Sequence, residues 1–428
     1  MKLDCAGVSS HLSYCTNIHT GNAWSDVLPE LQRQLPLVRT AMNYEKPMGI
    51  GLRLSRNSVD ALQDSAVLAE FQSWLTANNH YVFTINGFAY GVFHGERVKE
   101  DVCKPDWTEN ARLEYTCLLA DTLVKLNPPD DYGSINTLPG TYKDWIMPGT
   151  EQRISQNLIK AVAHCVKLKQ DTGVTIALAL EPEPGCLLET YAESIGFFKK
   201  YLFARDAIES LAKQTGLNYS NATTAMHTHI GICYDVCHSA VEFENPAHAI
   251  ARLQSAGIDI VKIQLSSALE IPSVNEASIK QLSCFDEPVY LHHIVEQRGE
   301  SLTRYNDMNA ATTALRHRMD SSATMDPSLK MAMSGDFSAT TQQFFLPFSE
   351  PDPTWRVHFH VPVFLDQTEH FPTTQANLSQ VLKLQKMSGF CRHLEVETYT
   401  WDVLPEVYRT QPVSQAIARE VDWVRERL

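Results

Sequence analysis

The sequence predicts an α/β protein built as one (β/α)8 TIM barrel, and two observations predict it. Short apolar runs alternate with longer amphipathic stretches about eight times, the signature of parallel strands joined by helices. The length, 428 residues, suits a barrel carrying an insertion, and eight repeats favour a closed barrel over an open sheet. The expected organisation is a single domain over 1–428 with a long insertion, or lid, at 270–353 between strands seven and eight.

The strand-like runs are HLSYCTNIH (11–19), MGIGLRLS (48–55), HYVFTING (80–87), GSINTLP (133–139), VTIALALEPEP (174–184), HIGICYDV (229–236), DIVKIQLSS (259–267) and HLEVETYT (393–400). Between them, SVDALQDSAVLAEFQSWLTANN places Leu62, Val67, Leu68, Phe71 and Leu75 at helical spacing, and ENARLEYTCLLADTLVKLN is a second such stretch. Strands seven and eight are too far apart for one helix. The intervening MDSSATMDPSLKMAMSGDFSATTQQ (319–343) is rich in Ser, Thr, Met and Asp and reads as a loop. After it, WRVHFHVPVF (355–364) alternates Val357, Phe359 and Val361 with Arg356, His358 and His360, a ninth strand-like run.

Composition removes several function classes. Fifty acidic against 36 basic residues, a formal charge of -14, repel a phosphate backbone, so nucleic acid is a poor partner. The ten cysteines form no C-x-x-C pair and read as reduced core residues. The start lacks a signal-peptide apolar region, and no run approaches the length of a membrane span. The expectation is a cytoplasmic protein acting on a small molecule. No Walker-type or G-x-G-x-x-G loop is present, so no nucleotide cofactor is expected.

Strand phase selects the candidate site. Alternate residues of a barrel strand face the helices and the interior. If Ile176, Leu178 and Leu180 face the helices, then Ala177, Ala179, Glu181 and Glu183 face inward. The same rule turns Cys233 and Asp235 inward from strand six. It turns Lys262, Gln264 and Ser266 inward from strand seven, with Val261, Ile263 and Leu265 outward. His393, Glu395 and Glu397 face inward from strand eight, Arg53 from strand two, and Cys15, Asn17 and His19 from strand one. Polar side chains therefore crown the C-terminal strand ends, where barrel enzymes build their sites. Converging carboxylates repel one another and need protons or a cation. Glu, Asp and Gln oxygens with one or two histidines suit Mn, Mg or Zn.

Asp235 and His238 form a D-x-x-H element that resembles the metal motif of the xylose-isomerase-like barrel superfamily of sugar isomerases, ketose 3-epimerases and endonuclease IV proteins. LALEP ending strand five resembles the epimerases' first metal glutamate, which falls on Glu181; the strand-eight glutamate falls on Glu397. The strand-seven ligand, usually histidine, is Gln264 here, and His358 or His360 is the candidate for the missing imidazole. Over nearly the whole chain, SYCTNIHTGNAW, FTINGFAYGVFHG, SINTLPGTYK, LEPEPGC, WRVHFHVPVF and HLEVETYTW resemble the xylose-isomerase-like proteins of the bacterial ebo metabolite-traffic gene cluster. That resemblance implies a barrel, a secondary-metabolite setting and partners among the other proteins of the cluster; it implies no particular reaction.

The expected metal set is Glu181, Asp235, His238, Gln264, His360 and Glu397, with Glu181 and Glu397 also carrying protons in an isomerase or epimerase. His19, Arg53, Asn86, His94, Asn136, Glu183, Lys262 and His358 are the expected substrate contacts, and His292 and His293 could close over the site. Two other functions stay open on the same residues: metal-assisted hydrolysis, and metabolite carriage without turnover. The bland alternative is a buried ion-pair cluster in which Arg53 and Lys262 neutralise the carboxylates.

Overall fold

The computed structural model describes residues 1–95, 97–290, 292–323 and 352–428. Eight parallel strands form a nearly closed barrel: β2 (Val8–Tyr14), β3 (Met48–Arg53), β4 (His80–Asn86), β5 (Tyr132–Thr137), β6 (Thr175–Leu180), β7 (Ile230–Asp235), β8 (Ile260–Leu265) and β13 (His393–Val396). Their order is β2-β13-β8-β7-β6-β5-β4-β3, and β1 (Lys2–Cys5) pairs antiparallel to β2 as an added edge. The seam between β2 and β3 is closed by one parallel bridge, Cys15 to Gly51. Beside it, Ser13 Oγ donates to the Gly49 carbonyl at 2.8 Å and accepts from Gly51 N–H at 3.3 Å. A side-chain hydroxyl thus replaces part of a backbone ladder.

Strand phase follows the pattern of large residues. Ile176, Leu178, Leu180, Ile232, Ile263 and Leu265 are fully buried in the main core against the helices. Ala177, Ala179 and Cys233 form a small cluster inside the barrel, where only short side chains fit. Val261 departs from the expected phase. The β7–β8 register shifts between Ile232 and Cys233, and this bulge places Val261 in the inner cluster.

Several strands end earlier than the sequence predicts. The first stops at Tyr14, and a 3-10 turn (Thr16–Ile18) follows it. The helical stretch after β3 is two helices, Arg56–Ala61 and Ser65–Ala77, because Asp64 caps the second by accepting from Ala66 N–H.

The ninth run is a strand only over β12 (Thr354–Val357), and it does not join the barrel. It lies in a separate antiparallel sheet with β9 (Leu269–Ile271), β10 (Ile294–Arg298) and β11 (Ser301–Tyr305), in the order β11-β10-β12-β9. The loop at 319–343 falls mainly on residues 324–351, outside the described residues. Among the described residues no helix is long and apolar enough to cross a membrane.

Candidate metal centre

The D-x-x-H spacing has a local cause. Asp235 ends β7 and caps the short helix Val236–Val241, its Oδ1 accepting from His238 N–H at 3.0 Å. Ser266, just past β8, donates to the same Oδ1 at 2.7 Å. Both bonds use one oxygen, and Oδ2 is buried with no hydrogen-bond partner.

The other donors repeat this arrangement. Glu181, immediately after β6, receives Asn136 Nδ2 on Oε2 at 2.6 Å. Glu397, immediately after β13, receives Asn17 Nδ2 at 2.8 Å and Asn86 Nδ2 at 3.1 Å, both on Oε1. His238 Nδ1 meets the Pro182 carbonyl at 2.9 Å, which fixes the Nδ1–H tautomer and leaves the Nε2 lone pair inward. His360 Nδ1 meets the Glu397 carbonyl at 2.9 Å, and its Nε2 is buried without a partner. His360 Nε2 and His238 Nε2 lie 4.0 and 3.9 Å from Asp235 Oδ2.

One donor atom each from Glu181, Asp235 and Glu397 falls within 4.8 Å of the others, and the same holds for Asp235, His238 and His360. A third group, Glu183, His238 and His358, adjoins them. Glu183 stands 4.0 Å from His238 Nε2 and 3.8 Å from His358 Nδ1. Neither ring nitrogen of His358 has a hydrogen-bond partner. Gln264 is buried opposite Asp235 in the β7–β8 ladder, and both its amide atoms lack partners.

The ion-pair alternative lacks its cations. Arg53 donates to the carbonyls of Gly21 (3.0 Å) and Gly91. Lys262 is paired with Glu395 at 2.5 Å and donates to Asn136 Oδ1 at 2.7 Å. Neither is ion-paired with Glu181, Asp235 or Glu397. Burial, and then the charges of Glu397 and Asp235, hold Glu181 well above the usual carboxylate range, and burial, then Cys103 and Asp235, does the same for Glu183. Burial pushes Asp235 up to about 6 and Glu397 up to about 8, the latter aided by the charge of Asp235. Burial, and then neighbouring imidazoles, hold His238 and His358 well below the ordinary histidine value. Carboxyls that resist ionisation and imidazoles that resist protonation share one site. A divalent cation relieves both, since it favours carboxylates and takes neutral imidazole lone pairs.

Above the centre a pocket opens toward solvent. Arg53, Asn86, Glu181, Glu183, His238, His358 and Glu397 line it, whereas Asp235 and His360 lie beneath. Four expected substrate contacts do not line it. His19 points away, 3.0 Å from the Tyr14 hydroxyl and 3.9 Å from Glu30, because the turn after Tyr14 ends strand alternation. Lys262 is sealed inside the barrel by Glu395. Asn136 is held between Lys262 and Glu181. His94 lies behind the wall, bonded to the Asn17 carbonyl and to the Tyr290 hydroxyl. His293 lines the pocket, while His292 turns to Glu287 at 2.9 Å.

Sequence reasoning left out Tyr290 and Tyr399, which line the pocket, and the support that Asn17 and Ser266 give to the carboxylates. Asn17 and Ser266 carried the signal of inward phase; Tyr290 lies in the insertion, where no strand register exists to place it.

No family model matches the chain, and no curated protein matches it. Solved structures match it at low identity. An IOLI protein with a binding zinc atom is 12% identical, with 97% of this chain and 96% of that one covered and a TM-score of 0.44. A xylose isomerase-like TIM barrel protein from Mycobacterium smegmatis in complex with magnesium is 11% identical, covering 63% and 78%, with a TM-score of 0.41. An L-ribulose 3-epimerase is 16% identical, covering 66% and 80%, with a TM-score of 0.36.

Proposed function

We propose that Glu181, Asp235, Glu397 and His360, with His238, hold one divalent ion, and that the protein is a metal-dependent isomerase or epimerase of a small polyhydroxylated carbonyl compound. One observation carries the reading. Each donor is anchored through one atom by a neighbour, and Asp235 Oδ2 and His360 Nε2 are buried at the common centre without a hydrogen-bond partner. Mixed oxygen and imidazole donors favour Zn or Mn over Mg. Gln264, beside Asp235, is a further neutral donor at the edge of the set.

When bound, the ion would polarise a substrate carbonyl and stabilise negative charge on its oxygen. The chain's own part is to move a proton. Glu181 and Glu397 stand at the ends of β6 and β13, which are not neighbours in the barrel. One removes the proton beside the carbonyl and the other returns it. Asn136, Asn17 and Asn86 keep the two carboxylates from rotating away. Arg53 Nε, buried without a partner at the pocket wall, supplies a donor for a substrate oxygen.

A second reading, metal-assisted hydrolysis, draws on the adjoining triad Glu183, His238 and His358, which offers a second ion a place. The motif resemblance supports placing the substrate among secondary-metabolite precursors and the protein's partners among the other products of the ebo cluster, and the cysteine usage supports the cytoplasm. Ten free cysteines suit that compartment. Incubation of candidate ketoses in deuterated water tests the reaction. The isomerase reading expects deuterium at the carbon beside the carbonyl, lost in Glu397→Gln; hydrolysis without deuterium entry would replace it with the second reading.

A further inference from the structure

The carboxylates that line the pocket, Glu181, Glu183 and Glu397, adjoin the proposed centre, and much of the remaining lining is aromatic or aliphatic. Phe93, Tyr290 and Tyr399 form a three-ring cluster, with centroids 5.5 Å (Phe93–Tyr290), 5.3 Å (Phe93–Tyr399) and 5.0 Å (Tyr290–Tyr399) apart. Tyr399 also packs on His360 at 4.7 Å, so the cluster continues from the proposed centre. The Tyr290 hydroxyl is committed to His94 Nδ1 at 2.8 Å, and His94 does not line the pocket. Tyr290 therefore offers its ring. Phe88, Val98, Val102 and Pro184 extend the apolar lining.

Such walls suit a bare sugar poorly. Hydroxyls pressed against them lose water and gain no partner, which is unfavourable for each unsatisfied group.

We infer that the substrate is an amphiphile: a hydroxy-carbonyl head at the carboxylate–histidine centre, joined to an apolar group at least the size of an aryl ring that lies against the Phe93–Tyr290–Tyr399 cluster. This rests on the metal-centre reading above for the position of the head. The head takes a hydrogen bond from Arg53 Nε, and the apolar group fixes which carbon faces Glu181 and Glu397. A substrate lacking that group loses orientation as well as affinity.

Hydroxamates test this, because they chelate divalent ions whatever tail they carry. Calorimetric titration of the full-length protein, saturated with Mn or Zn, would compare acetohydroxamate, benzohydroxamate and octanohydroxamate. The expected result is octanohydroxamate binding at least ~30-fold tighter than acetohydroxamate, with benzohydroxamate between, as burial of several methylenes requires. Phe93→Ala and, separately, Val102→Ser should each narrow that ratio at least ~3-fold. Acetohydroxamate binding with no gain from either tail would overturn the amphiphile and leave the centre standing. A tail gain that neither variant narrows would also overturn it, since the tail would then lie elsewhere. Failure of every hydroxamate to bind would overturn the centre, and the inference with it.

Discussion

Replacing Lys262 by Met isolates the ion pair that separates the barrel's interior from its proposed metal centre. Lys262 and Glu395 are both fully buried and 2.5 Å apart. Burial works against the lysine's charge, yet Glu395 holds its pKa above the ordinary value. Losing one partner of a buried pair leaves an uncompensated charge and costs about 3–5 kcal/mol. An unfolding entropy of about 2.1 cal/mol/K per residue over 428 residues gives about 0.9 kcal/mol/K. The melting temperature should therefore fall by roughly 3–6 °C. Lys262→Met with Glu395→Gln removes both charges and should recover all but about 1 kcal/mol. Denaturant titration of the wild type, both single variants and the double variant closes the cycle. A single-variant cost below about 1 kcal/mol, or one equal to that of the double variant, would refute the reasoning. It would mean that Glu395 shares the charge compensation of the carboxylates above it.

Three further outcomes follow from the same geometry. Asn17→Ala removes an orienting bond to Glu397, and Ser266→Ala removes one to Asp235 along with the acceptor of Cys237 N–H, so each should weaken metal affinity ~10- to 100-fold in chelator competition. Gly51→Ala would place a Cβ 1.6 Å from Glu395 Oε1 and 2.8 Å from the Tyr14 carbonyl; denaturation should show a loss of ~3 kcal/mol or more, beyond ordinary overpacking. Burial pushes Glu420 up to about 7 despite bonds from Thr398 at 2.6 Å and Val363 N–H at 3.0 Å. A raised carboxyl pKa favours the folded state below the unfolded value, and the benefit is lost as pH rises through about 7. Glu420→Gln should accordingly gain stability relative to wild type between pH 5 and 8, by ~2–3 kcal/mol in all, measured by denaturation across that range.

The barrel was legible in the sequence because two periodicities coincide in it. Ile176, Leu178 and Leu180 alternate with Ala177 and Ala179, and the helices between strands carry their own apolar stripes. Alternation also brings Glu181, Asp235 and Glu397 to one end without further information. The rule fails where the backbone leaves regular extension. A bulge turned Val261 inward, and a 3-10 turn sent His19 outward. Height within the barrel is invisible to alternation as well, and Lys262 and Asn136 share the inward face with the site but sit below it. The insertion was hardest to read. His358 and His360 showed period two, but their delivery to the centre depends on pairing between β12 and β10, which no local pattern encodes. Tyr290 and Tyr399, which shape the pocket, carried no sequence signal that separates them from core aromatics.

The central claim is a cation held by the strand-end carboxylates and imidazoles. Elemental analysis of protein purified without added metal or chelator, alongside Asp235→Ala, addresses it most directly. The account predicts about one divalent ion per chain in the wild type and less than a tenth of that in the variant. A wild-type protein that carries no ion, and takes none after incubation with Mn or Zn, would contradict it and leave a barrel that carries a metabolite without turning it over.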